Sequence, residues 1–158
     1  MTKEERQLLL KDLCARLPYG VYVRINETHC LDKNEAITEG FIGGYCKPNM
    51  CQDYSLDEID EFLDDGDDVK LYLRPMSSMT EEELNECVCQ SGIKDIECPN
   101  WQDIPKEKQF EARLNYAIAV FLTDSNNIDW LLAHHFDFRG LIEKGLALKA
   151  KEGMYKTE

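Results

Sequence analysis

The chain is poor in positive charge, has no long apolar run, and contains no complete motif for a metal or a nucleotide. Its 158 residues carry 18 Lys and Arg against 31 Asp and Glu, a formal net charge of −13. Nucleic-acid binding rests on counterion release by basic patches, so this balance argues against nucleic acid as a partner. Anionic membrane surfaces are disfavoured for the same reason. No stretch approaches the roughly 18 apolar residues of a membrane span. The N-terminal "MTKEERQ" is charged and lacks the apolar core of a secretory signal. These absences point to a cytoplasmic protein whose partner is another protein, with no membrane association.

Cysteine is plentiful but badly spaced. Seven are present, Cys14, Cys30, Cys46, Cys51, Cys87, Cys89 and Cys98, and an odd number without a leader argues for reduced thiols rather than a disulfide framework. None forms the C-x2-C pair that a structural zinc site favours. Cys87 and Cys89 fall in a predicted helix about 200° apart around its axis, so they cannot chelate one ion while helical. Cys14 lies among leucines and reads as core filling. No G-x-x-x-x-G-K-[ST] loop occurs, and "GFIGG" lacks the G-x-G-x-x-G order. We therefore expect no metal and no cofactor.

What is present is a set of well-punctuated elements. Thr2 with Glu5, Ser55 with Glu58, and Thr80 with Glu83 have capping-box spacing and predict three helix starts. Behind the first, Leu9, Leu10, Leu13, Cys14 and Leu17 form an apolar stripe at helical spacing. "VYVRIN" (21–26), "AITEGFIGGYC" (36–46) and "VKLYLRP" (69–75) read as strands, with Gly40, Gly43 and Gly44 marking a bulge or a close backbone approach. "KPNMCQD" reads as a loop. Helices are expected from Thr80 to Gly92, over 106–124 and over "NNIDWLLAHHF", the second being the most apolar and placed at the centre of the core. Strands in front and helices behind imply an α+β fold, with short antiparallel strands in the N-terminal half packed against C-terminal helices. One domain, 1–158, is expected, with an exposed tail (150–158) that frays.

Two polar clusters invite chemistry. "DYSLDEIDEFLDDGDD" holds nine carboxylates and no base between Asp53 and Asp68, which suggests calcium. A calcium loop with Gly66 in its sixth position would put Leu63 third and Tyr72 twelfth, where carboxylates are required, so the motif fails. A solvated acidic face is the simpler reading. The second cluster is "IDWLLAHHFDFRGLIEKGLAL" (128–148). A hydrolase would use His134 or His135 as general base, with Asp137 and Arg139 beside it. No nucleophile elbow or metal motif accompanies them. Adjacent helical residues point about 100° apart, so the two histidines do not face one ion. His135 falls on the apolar stripe of Leu131 and Leu132, and Arg139 is placed to bind carbonyls at the preceding helix end.

"LLLKDLCARLPYGVYV", "YLRPMSSMTEEE" and "AHHFDFRGLIEKGLALKAKEGMYK" together resemble a group of small uncharacterised proteins encoded by gut Bacteroidetes, often in prophage or mobile-element neighbourhoods. The phrases cover both ends and the middle of the chain, about a third of it, and the segments between are individual to this sequence. That group has no assigned activity, so the resemblance implies source and class and transfers no catalytic residue. The leading expectation is a non-enzymatic protein-binding accessory domain. The alternatives are the hydrolase just described, and an acidic nucleic-acid mimic built on Asp53–Asp68.

Overall fold

The computed structural model describes residues 1–28, 37–43, 52–89, 103–121 and 125–155. They gather into two compact units, Met1–Arg74 with Arg139–Glu158, and Pro75–Phe138. The first is a mixed sheet with two helices, the second is helical, and the fold class is α+β as the element order implied.

In the first unit, α1 (Lys3–Arg16) opens on the expected capping box: Glu5 N–H donates to Thr2 Oγ1 at 3.1 Å, and Thr2 N–H to Glu5 Oε2 at 2.7 Å. Its buried face keeps the predicted leucines, loses Cys14 and gains two charged residues. Leu9, Asp12, Leu13 and Arg16 are buried, whereas Cys14 is exposed and fills no core. Leu10 and Leu17 pack against the core beside Leu9 and Leu13, and two charged side chains join them there because each has an ionic partner inside. Asp12 and Arg16 are both 0% exposed. Arg16 Nε donates to Asp12 Oδ2 at 2.6 Å, and Arg139 Nη1 donates to the other carboxylate oxygen.

Strands β1 (Val21–Asn26) and β2 (Ile37–Ile42) pair antiparallel, as do β1 and β4 (Asp68–Leu73). Two further strands were not foreseen. The predicted loop over 47–53 runs into β3 (Gln52–Tyr54), and β5 (Ala147–Lys149) lies near the C-terminus. Both pair parallel, with β2 and β4 respectively, so the sheet β3-β2-β1-β4-β5 is mixed rather than antiparallel. Short edge strands of this kind carry almost no periodic signal; their neighbours define them. The expected close approach holds at Gly43, where a Cβ would stand 2.4 Å from the Leu17 carbonyl oxygen.

Helix α2 (Leu56–Asp64) starts on the Ser55–Glu58 box. Leu9 and Leu13 of α1 and Ile59 and Leu63 of α2 share one apolar cluster with Val21, Val23, Ile25, Val69, Leu71 and Leu73. The tail is not loose through Tyr155. The β1–β4 ladder ends at the Val23–Leu71 pair, and Tyr155 Oη fills the next gap. It accepts from Tyr22 N–H at 3.0 Å and donates to the Tyr72 carbonyl at 2.7 Å. Two backbone groups that the diverging strands would orphan are thereby satisfied.

The second unit contains α3 (Glu81–Cys89), α4 (Lys106–Phe121) and α5 (Ser125–Ala133). Thr80 and Glu83 exchange the expected hydrogen bonds at the start of α3. The helices share a core of Leu84, Cys87, Val88, Leu114, Ala117, Trp130, Leu131 and Phe136. Cys87 is buried, Cys89 is exposed, and they lie on different sides of α3 as the spacing required. Burial pushes the Cys87 thiol up to about 11, so it is an inert apolar filler.

Replacing Asp12 with Asn leaves Arg16 buried without its countercharge. Asp12→Asn is expected to cost about 3–5 kcal/mol, measured as the change in urea unfolding free energy.

Candidate functional site

The segment that drew attention in the sequence ends a helix. α5 stops at Ala133, so His134 and His135 are not two consecutive helical residues facing different ways. His135 N–H donates to the Leu132 carbonyl at 3.1 Å and Phe136 N–H to the Leu131 carbonyl at 2.9 Å. With His135 at φ +60°, this is a Schellman closure in which histidine holds the left-handed position normally given to glycine. Leu131 and Phe136 supply the accompanying apolar contact within one cluster. His134 lies on the Trp130 indole, with ring centroids 3.8 Å apart and planes 17° from parallel. Its Nδ1 sits 2.9 Å from the Trp130 carbonyl, which also accepts His134 N–H at 3.0 Å.

Asp137 is buried, 7% exposed. Arg139 belongs to the first unit and holds the Asp12 carboxylate. In the turn that follows, Lys144 Nζ donates to the Arg139 and Gly140 carbonyls at 2.9 and 3.3 Å, which are not carbonyls of the α5 end. His134 and Arg139 thus have local side-chain duties, whereas His135 closes the helix through its backbone.

The cysteine spacing Cys46–Cys51, together with Cys30, Cys98 and His29, lies outside the described residues. Among those described, no group of three or more His, Cys, Asp or Glu is placed to hold a metal ion. In the acidic run, Asp60 and Asp64 bind Arg6 at 2.6 and 2.5 Å. Asp67 accepts from Thr28 N–H and Thr28 Oγ1 at 2.7 and 3.0 Å.

A different arrangement has the makings of a binding site. Strand alternation sends Val21, Val23 and Ile25 into the core, so Tyr22, Arg24 and Asn26 take the opposite face of the sheet. The register sets three rows there. Tyr22 stands opposite Phe41, Arg24 lies between Glu39 and Lys70, and Asn26 between Ile37 and Asp68. Tyr22 meets Phe41 edge to face at 4.9 Å and Tyr155 at 5.5 Å. Ile37 is 55% exposed, and Tyr22, Arg24 and Phe41 are half-buried.

The charges on this face are mostly spoken for. Lys151 Nζ donates to Glu39 Oε1 and Oε2 at 2.8 and 2.7 Å, and Tyr72 Oη donates to the same carboxylate. The Lys151 ammonium also stands 5.2 Å from the Tyr72 ring centroid. Hydrogen bonds from Lys151 and then Tyr72 hold the Glu39 carboxyl below its ordinary range. Desolvation and then the bond to Glu39 raise Tyr72. Lys70 binds Asp68 at 3.2 Å. Arg24 is different: among the described residues it makes no hydrogen bond or ion pair, and its Nε is buried without an acceptor. It acts on Glu39 only through space. A buried donor left unmade is costly and calls for a partner.

Against known proteins, no family model matches the chain, and neither a curated protein nor a solved structure is significantly similar to it.

Sequence reasoning passed over Tyr22, Arg24 and Phe41. Their signal lay in "VYVRIN", where an aromatic ring and a guanidinium occupy the positions that alternation keeps out of the core. The strand neighbours that surround Arg24 with already-paired charges had no such signal.

Two outcomes follow. His135→Gly is expected to be more stable than His135→Ala by about 1 kcal/mol, since both delete the ring and only alanine keeps left-handed strain; thermal unfolding of the two variants checks this. Glu39 has a depressed pKa when folded, so its contribution is present above its ordinary 4.5 and is lost as pH falls through the lower folded value. The stability gap between the parent chain and Glu39→Gln should therefore close in acid, as read by melting temperatures at neutral pH and near pH 3.

Proposed function

We propose that the chain is a non-enzymatic accessory domain of the Bacteroidetes mobile-element group it resembles, and that it works by binding another protein. One observation carries this reading: the outer face of the sheet presents the Tyr22–Phe41 aromatic pair beside an arginine that makes no hydrogen bond or ion pair among the described residues. Aromatic and arginine side chains are the types enriched where protein interfaces concentrate their energy. The opposite face of the same strands is closed core, so the two faces have separate tasks. The net charge of −13 supports a protein over a nucleic acid as the occupant. Among the described residues no helix is long and apolar enough to cross a membrane.

The test is affinity capture from gut-Bacteroidetes extract with the parent chain and with Tyr22→Ser/Phe41→Ser, after both are shown to unfold cooperatively. A protein retained by the parent and lost from the double variant supports the reading. Identical recovery by both contradicts it, and so does turnover of a hydrolase substrate panel that His134→Ala or Asp137→Asn abolishes.

A further inference from the structure

The partner's chemistry is written into the middle of that face, and the inference here rests on the protein-binding reading above. We infer that Arg24 receives a single carboxylate of the partner, carried on an otherwise apolar or aromatic segment that lies against Tyr22, Phe41 and Ile37. The charge arrangement leads to this occupant. Of the carboxylates on this face, Glu39 in the same row is held by Lys151 and Tyr72, Asp68 in the next row is held by Lys70, and Asp53 lies two strands away beyond Phe41. Among the described residues Arg24 therefore stands as a positive charge with no ion pair of its own, its Nε buried without an acceptor. A guanidinium presents a planar fork of donors, matched by a two-oxygen acceptor such as a carboxylate.

The occupant's size and charge follow from what surrounds that fork. One flanking row is the Tyr22–Phe41 pair in edge contact, and the other runs Ile37, Asn26 and Asp68, with Ile37 more than half exposed. Apolar side chains on both sides of the carboxylate would cover these surfaces and exclude water from the ion pair, which strengthens it. A polyanion would instead meet the field of a chain with formal charge −13, and repulsion grows with each added charge. One carboxylate among apolar residues takes the local attraction and incurs the least of the global repulsion.

The experiment selects a displayed library of short random peptides on the whole chain, with Tyr22→Ser/Phe41→Ser as the counter-selection. The enriched peptides are then synthesised and measured by fluorescence anisotropy. Expected are peptides with one Asp, Glu or terminal carboxylate among apolar and aromatic residues. Arg24→Gln should weaken them by about tenfold or more, and Arg24→Lys should restore part of the loss. Converting the peptide carboxylate to its carboxamide should cost as much, with no further loss on Arg24→Gln, since both changes remove one interaction. Circular dichroism melts confirm that each variant is folded.

Peptides that bind Arg24→Gln unchanged but fail on the double variant overturn the role of Arg24 and leave the docking face in place. No peptide enriched over the counter-selection overturns both readings. Displacement by millimolar inorganic phosphate, with the carboxamide peptide binding as well as its parent, makes phosphate the occupant and overturns the carboxylate.

Discussion

The first unit depends on one buried carboxylate. Asp12 lies inside α1 and accepts hydrogen bonds from Arg16, one turn on, and from Arg139. Arg139 is the residue at which the chain re-enters this unit after the helical one. A discontinuous unit pays the entropy of closing a long loop before its second segment makes contacts. The Asp12–Arg139 pair offsets part of that cost at the point of re-entry. Downstream, the chain supplies Leu141 and Leu146 to the core, β5 to the sheet edge and Tyr155 to the end of the β1–β4 ladder. Parallel pairing of β4 with β5 requires a long crossover, and the intervening helical unit provides it.

The same accounting of charge separates scaffold from surface. Arg6, Arg16, Arg113 and Arg139 each meet a carboxylate, as a strongly acidic chain readily allows. Against that background a half-buried arginine with no such partner is informative, because acidic side chains are abundant and, among the described residues, none is in contact with Arg24. Its neighbours explain why. The nearest carboxylate across the strand is fixed by a lysine from the C-terminal segment and a tyrosine from β4. Core packing on one side of the strands and a polar, aromatic surface on the other follow from a single alternation, read in two directions.

Much of the secondary structure was legible, because its signals are local. The three capping boxes stand where they were expected, since a Ser or Thr followed three residues later by Glu satisfies orphan N–H groups within one turn. "VYVRIN" and "VKLYLRP" were readable as strands from alternation alone. The edge strands β3 and β5 were not, because three residues carry no period and acquire strand geometry only from β2 and β4. Apolar counting put the leucines of α1 on the core side but misplaced Cys14 and could not find Asp12 and Arg16, whose ionic partner Arg139 lies far along the chain. His135 looked like a helical side chain on an apolar stripe, yet it closes the helix in a left-handed conformation that glycine usually supplies.

By itself the sequence determined the α+β class, the helix starts, the three main strands and the acidic balance that disfavours polyanionic partners. Each of these depends on residues close together in the chain or on a sum over all of them. The tertiary structure decided which charges are paired, which are buried and which are left over. It set Glu39 and Lys70 on either side of Arg24, brought Lys151 onto Glu39, and placed Tyr155 between two diverging strands. Those outcomes depend on strand order and register, which are fixed by burial of one whole face of the sheet and cannot be read from any single strand.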